Sequence, residues 1–444
     1  MTAEYRNREW FPQPQAEAAL RAVLGDMLAR NAAAGAYATR LLDAAGVRLR
    51  DIVDHVVVGS SDLARLEAAG WADRGDGVFA NAHGLFPEAL PGASAIWFRV
   101  ESIERFVAAT GVSAPIEGAA HGPLRRAMAF PGAVGVGAIE RAGEIGFDVP
   151  EVSAKRIHDA RLRLNAFRAR RRQFDTVEAG LAHTEALVDA AVGDLGQHWA
   201  CDLWFRAERD YWMSRCPAGR LQKARQDAAG IGWSNIDHHT YDGSREHFRH
   251  TVRILEKMGY QLREMLYAGE MAGWGSQVLE QPASKSTIFA DVDLAPHETD
   301  IDFAHEELPP LKLRRAGILS ILHGESILEG GLNHVAALYE QRTLRAQLGG
   351  HGLSMMKPFS DFAFLYQELT EGDVAAVDPA RVDRLERAGD LTAAEAETIR
   401  LNGYIAAHLE NIERNDGYKG FNKPGIDGVL RALDPRASVR AEAA

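Results

Sequence analysis

Two short stretches of this chain read alike although they lie far apart in it. Val53-Asp54-His55-Val56 and Ile236-Asp237-His238-His239 each place an Asp-His pair behind an aliphatic residue, at the start of a strand-like run. After the second pair the period changes to that of an amphipathic helix over Arg245 to Met258, which Gly259-Tyr260 ends. Three strand candidates follow, at Leu262 to Tyr267, Ser276 to Leu279 and Ser286 to Val292. The order is β-α-β-β-β. The first pair opens a less regular version: a run closed by Gly59-Ser60-Ser61, a short helix from Asp62 to Ala69, and strand candidates at Gly77 to Ala80 and Ala95 to Val100. An internal duplication constrains a fold more than any local propensity, because each copy must bury its sheet face against the other.

The pattern predicts an α+β protein whose paired βαβββ modules form a curved sheet around a metal site. It divides the chain into an N-terminal helical segment (1–50), a first module (51–149), a helical insertion (150–232), a second module (233–309) and a helical C-terminal region (310–444). A dense basic run from Lys155 to Arg172 opens the insertion; it reads as a solvated helix face, with attraction of an anion as the alternative. Leu430 to Arg440 reads as an Ala/Arg-rich tail that frays. The helical parts are expected to cover the pocket between the modules.

Charge removes several functions. The 444 residues carry 62 acidic and 50 basic side chains, a formal charge of −12, which repels nucleic-acid backbones. No stretch reaches the roughly 20 apolar residues that span a bilayer, and the polar first ten residues lack a signal-peptide core. Two cysteines, Cys201 and Cys216, suit neither a disulfide framework nor a zinc ribbon, so a cytoplasmic protein is expected. The GxSxG, Walker A, CxxC and HExxH patterns are absent.

The histidines point to metal chemistry. Alternate residues of a strand share a face, so His55 beside Val53 and Val57, and His238 beside Ile236 and Thr240, would bring two imidazoles into one cavity. Two imidazoles with one carboxylate leave open positions on iron, and imidazole equally suits zinc, copper or nickel. Asp291, Asp293, Glu298, Asp302, Glu306 and Glu307 are the candidates for the carboxylate. Glu306 is preferred, on a strand-like alternation over Ile301 to Glu306, with Asp302 next. Gln281, Ser284 and Lys285 share one loop and could bind a substrate carboxylate, or form a polar turn. His323-Gly324-Glu325 and Asn333-His334 are a further cluster without a specific spacing.

Asp54-His55-Val56, Asp237-His238-His239-Thr240 and Leu279-Glu280-Gln281-Pro282-Ala283-Ser284, in this order, resemble the vicinal oxygen chelate superfamily, and within it the 2-oxoadipate dioxygenase/decarboxylases. The likeness runs over about residues 20–310. It implies a non-haem iron-dependent dioxygenase/decarboxylase acting on a small 2-oxo acid with dioxygen, and iron ligands at His55, His238 and Glu306. That family has an arginine four residues after the first histidine to hold a substrate carboxylate. Gly59 stands there, so another cation such as Lys285 takes over or the substrate differs. Other metal-dependent lyases, isomerases or hydrolases using Zn2+, Mn2+ or Ni2+, and a metal-free small-molecule binder, share the fold.

Overall fold

The computed structural model describes residues 8–436 except 271, 424, 427 and 429–432; most of the expected C-terminal tail and the first seven residues lie outside these. Helices α1 (Pro14–Ala29) and α2 (Ala32–Ala45) lead into strand β1 (Val53–Val58), α3 (Ser60–Ala68), β2 (Ala72–Asp73), β3 (Phe79–Ala80) and β4 (Glu88–Pro91). Next come β5 (Ala95–Arg99), α4 (Ile103–Thr110), β6 (Leu124–Phe130) and β7 (Gly135–Arg141). These strands form one sheet in the order β2-β3-β4-β1-β5-β7-β6. Strands β1 and β5 run antiparallel at its centre, each flanked by a parallel strand of its own unit, β4 and β7. The expected single module at 51–149 is therefore two modules, the second opening at β5.

Four helices follow: α5 (Ala154–Arg168), α6 (Val177–Leu195), α7 (Gln197–Arg215) and α8 (Pro217–Ala228). The next unit is β8 (Ile236–Asp242), α9 (Phe248–Lys257), β9 (Gln261–Tyr267), β10 (Trp274–Gln281) and β11 (Ser286–Asp293), the βαβββ order read from the sequence. Beyond it lie α10 (Arg315–His323), β12 (His334–Leu338), α11 (Gln341–Gly350), β13 (Ser360–Phe362) and β14 (Leu365–Leu369). A small addition of β15 (Val374–Ala375), α12 (Pro379–Ala388), α13 (Ala393–Asn402) and β16 (Tyr404–Ile405) precedes the last strand, β17 (His408–Arg414).

Region 310–444 thus differs from the helical expectation: it holds a fourth module, whose strands are short and interrupted by two helices. Its eight-stranded sheet runs β13-β14-β17-β12-β8-β11-β10-β9. Here β8 and β12 are antiparallel at the centre, with β11 and β17 parallel beside them. Both sheets therefore have one topology, two modules related by an approximate twofold between central strands. The fold is α+β, with paired βαβββ-like modules, the unit from β5 having one strand fewer. The pairing is between neighbours in sequence, however: β8 meets β12, not β1.

The insertion lies against the back of the second sheet. On β8 the alternation sends His239 and Tyr241 away from His238, where Phe205 of α7 packs on the His239 ring at 4.5 Å. Glu208, fully buried on α7, accepts hydrogen bonds from the Tyr241 hydroxyl (2.8 Å), Arg170 (2.9 Å) and Arg172 (2.6 Å). Three donors on one buried carboxylate offset its desolvation. Arg170 and Arg172, at the end of the basic run, serve this network, and no residue of the run lines the cavity beside His238. Among the described residues no helix is long and apolar enough to cross a membrane.

Candidate metal centre

His238, His334 and Glu410 come together on the inner face of the second sheet. Each lies on one of three adjacent strands, β8, β12 and β17, and register fixes their approach: Ala336 pairs with His238 on one side and with Glu410 on the other. Alanine there leaves room for the longer side chains that flank it, and His334 enters from two residues earlier. The His238 and His334 Nε2 atoms are 3.3 Å apart. Glu410 Oε2 is 3.2 Å from each. A metal about 2.1 Å from each of three atoms at near right angles would hold them about 3.0 Å apart, so the donors fit a single ion with little movement. Two imidazoles and a carboxylate on one side leave the opposite positions for ligands.

The groups behind the donors orient them. Strand β8 carries a register shift between Ile236 and His238, a bulge that leaves Asp237 without a partner on β12. Asp237 can thereby reach back to its neighbour, with Oδ2 2.8 Å from His238 Nδ1. The carboxylate fixes the proton on Nδ1 and leaves Nε2 free as a ligand. Arg414 in turn grips Asp237 through Nε (2.6 Å) and Nη2 (3.0 Å). Burial alone would raise the Asp237 carboxyl, but Arg414 and the His238 hydrogen bond outweigh it and hold it well below the usual range. Glu410 is likewise held low against burial by the two histidines. Burial works against a charged His238, yet Glu410 and Asp237 raise it to about 9. The pocket is thus built to favour positive charge. Gln367 donates to Glu410 Oε1 at 2.8 Å, reserving Oε2 for the cluster, and the Thr240 hydroxyl lies 2.8 Å from His334 Nε2.

The donors open onto a cavity of about 130 Å³. Leu266, Trp274, Phe289, Leu319, Ile405 and Phe421 give it apolar walls, and Arg315 is the single Arg or Lys in its lining among the described residues. At another part of the wall stand Asp242 and Asp291, a directly opposed pair on β8 and β11. Burial and the neighbouring Asp242 push the Asp291 carboxyl well above its ordinary value. Burial lowers His408, also in the wall, to about 4, so that ring is neutral.

Of the residues singled out in the sequence, His238 and His334 take part in this cluster, His334 from the separate grouping with His323 and Glu325. His55 lies in the first sheet, its Nδ1 2.8 Å from Asp54 and its ring packed against Phe147 at 4.6 Å. Glu306 is exposed in a turn over residues 303–306, not on a strand, and Asp302 binds His305 at 2.8 Å. Gln281 caps a turn: its Oε1 accepts from the backbone of Ala283 (2.7 Å) and Ser284 (2.9 Å). Ser284 hydrogen-bonds Ser286, and Lys285 pairs with Glu88 at 2.9 Å, both outside the metal cavity. Glu410 is the donor that sequence reasoning missed, and His334 is named there without being joined to His238. A second grouping, Glu178, Glu246 and His247, has both carboxylates on the surface.

No family model matches the chain, and no curated protein does. Among solved structures, a triple mutant of 4-hydroxymandelate synthase from Streptomyces coelicolor is 12% identical, covering 76% of this chain and 95% of its own, at a TM-score of 0.29. Methylmalonyl-CoA epimerase from Mycobacterium tuberculosis is also 12% identical, covering 41% and 88%, at 0.23. A xylose isomerase-like TIM barrel/4-hydroxyphenylpyruvate dioxygenase fusion protein is 12% identical, covering 90% of this chain and 53% of its own, at 0.24. Scores this low give no residue correspondence. Strand register and the donor distances define the candidate centre: two histidines and one carboxylate on three adjacent strands of the second sheet.

Proposed function

We propose that the protein is a mononuclear metal-dependent enzyme, and specifically a non-haem iron(II) dioxygenase/decarboxylase acting on a small 2-oxo acid. The observation that carries this reading is the convergence of His238, His334 and Glu410, with donor atoms 3.2–3.3 Å apart, at the wall of a largely apolar cavity. A ferrous ion there would supply Lewis acidity and open positions for a chelating oxo acid and dioxygen.

The chain's own residues would do the rest. Asp237 and Arg414 hold the His238 tautomer, and Gln367 holds the Glu410 rotamer. Arg315, the one Arg or Lys in the cavity lining among the described residues, is already held by Asp434 at 3.1 Å. The aromatic and aliphatic walls favour a 2-oxo acid with an apolar side chain over a second carboxylate. They also exclude water from the reacting centre.

A second reading, a metal-dependent isomerase or lyase, is favoured by Asp242 and Asp291. A carboxyl pushed well above its ordinary range by burial and a neighbouring carboxyl is equipped to exchange a proton with substrate. Metal analysis with an oxygen electrode separates the two. One equivalent of iron and oxygen uptake on aryl or alkyl 2-oxo acids is expected. A zinc or manganese protein that consumes no oxygen would favour the second reading, and a metal-free protein would overturn both.

A further inference from the structure

On the back of β8, opposite the metal ligands, lies a separate cavity of about 100 Å³ enclosed by β5, β7, α7 and the loop after β10. Its charged lining is one-sided: Arg99, Arg141, Arg206, Arg209 and Lys285 against Glu101 and Asp202. Most of this charge is already paired. Arg99 (2.9 Å) and Arg141 (2.7 Å) share Asp54, Arg206 meets Asp202 at 2.7 Å, Lys285 meets Glu88, and Glu101 holds Lys223 at 2.8 Å.

Arg209 is the exception. It is 8% exposed, and among the described residues no carboxylate oxygen lies within 4 Å of its guanidinium. Its one hydrogen-bond contact is with the His239 ring, Nη1 to Nε2 at 3.3 Å, and its Nε has no partner. Burial and Arg209 itself keep His239 well below its ordinary value, so the ring accepts as a neutral group, and Glu101 and Asp202, already paired with Lys223 and Arg206, act on Arg209 only from a distance. Two more buried polar atoms in the same wall, Trp233 Nε1 and Ser234 Oγ, also lack partners. A buried guanidinium that no carboxylate contacts directly is poorly compensated, and unpaired donors around it add to that cost. A small anion removes both costs at once.

We propose that this cavity binds a small oxyanion, a carboxylate or phosphate group, with Arg209 as its charged anchor and Trp233 and Ser234 as further donors. A cavity of this size admits a head group and little more. The site is distinct from the metal centre, since β8 separates them: His238 faces one and His239 the other.

The test is thermal unfolding and calorimetric titration of the full chain with inorganic phosphate and with acetate, each against chloride at equal ionic strength. Saturable binding is expected, and the tighter of the two ions assigns the head group as phosphate or carboxylate. Arg209→Gln should weaken binding about 10-fold or more, the worth of a charge-assisted hydrogen bond. It should also leave the anion-free melting temperature equal or higher, because it deletes a buried charge that no carboxylate contacts directly. His238→Ala should bind the anion as the wild type does. Absence of saturable binding by either ion in the wild-type chain would overturn the proposal, whatever the variants do. So would an Arg209→Gln protein that melts lower without anion and still responds to phosphate, since that pattern marks a structural arginine.

Discussion

In the first sheet the His55 ring stacks on Trp97 with centroids 6.1 Å apart, whereas in the second the His238 ring opens onto a cavity of about 130 Å³. Behind the rings the two sheets are built alike. Asp54 lies in the same register shift on β1 as Asp237 on β8, and each aspartate holds its histidine at 2.8 Å. Arg141, four residues after Gly137, grips Asp54 as Arg414, four residues after Glu410, grips Asp237. Each arginine also donates to two carbonyls of the loop beyond its strand and lies over a phenylalanine, Phe147 or Phe421. The difference is confined to the ends of the side chains that would meet a metal. Register places Trp97 where Ala336 stands and Gly137 where Glu410 stands, and Ala95 takes the place of His334. Trp97, Leu124 and Ile139 then pack as an apolar cluster where the second sheet keeps space. An arginine–aspartate–histidine chain therefore orients an imidazole without creating a metal site. The carboxylate and the second imidazole decide that.

The comparison breaks most easily at the donors. His238→Ala, His334→Ala and Glu410→Ala should each abolish stoichiometric metal and with it activity, because two donors remain for an ion that needs three. His55→Ala should leave metal content at the wild-type value. Elemental analysis of the purified proteins decides it. Metal loss in His55→Ala, or its retention in all three of the others, would show that the wrong sheet has been chosen.

Orienting groups should matter less than donors but only in one sheet. Arg414→Gln and Asp237→Asn free the His238 ring, and loss of such an outer partner weakens metal binding about 10–100-fold. Arg141→Gln, the equivalent change in the first sheet, should alter stability alone. Competition with a chelator measures the affinities, and equal losses at Arg141 and Arg414 would sink the distinction.

The metal-free centre carries a pH signature that the first sheet has no cluster to produce. His238 is raised from 6.5 to about 9 by Glu410 and Asp237. A raised group contributes stability fully below its unfolded value and loses that contribution as pH climbs through its folded value. Stability of the chelator-treated protein should therefore fall between about pH 6.5 and pH 9, by about 3 kcal/mol if the full shift is expressed. His238→Gln should flatten this slope in urea denaturation, and an unchanged slope would refute the cluster's charge arrangement.

Much of this was readable from residues. The repeated Asp-His pair announced the duplication, and the βαβββ order from Ile236 to Asp293 was legible because α9 is strongly amphipathic and its strands are long and β-branched. The pairing of modules was not. The fourth module opens with His334-Val335-Ala336-Ala337-Leu338, five residues whose strand character is weak, and α12 and α13 separate β14 from its partner β17. Glu410 sits in a strand that alternates only if His408 and Ile412 are taken as inward-facing with it, which becomes visible once Leu369 and Ala336 flank it. The bulge at Asp237 was equally hidden: strict alternation sends an aspartate and the next histidine to opposite faces, and only the register shift lets them touch. Glu306 drew the ligand assignment because its segment alternates, yet Phe303 and Ala304 are both buried and close a turn.

The smallest expected effect tests what fills the first site. A Cβ on Gly137 would lie 2.4 Å from Trp97 Cζ3. The indole cannot swing away cheaply, since it is 8% exposed and packed between His55 and the Arg126 guanidinium, 5.3 Å from its centroid. Gly137→Ala should therefore destabilise the chain by about 1–3 kcal/mol, as overpacking does, while leaving metal content and activity unchanged. Adding Trp97→Phe to it should return part of the loss, because the smaller ring vacates the space that the new methyl group needs. Coupling of that sign in a double-mutant cycle requires direct contact between the two positions. Simple additivity would mean that Trp97 does not occupy the place that Glu410 leaves open to metal in the other sheet.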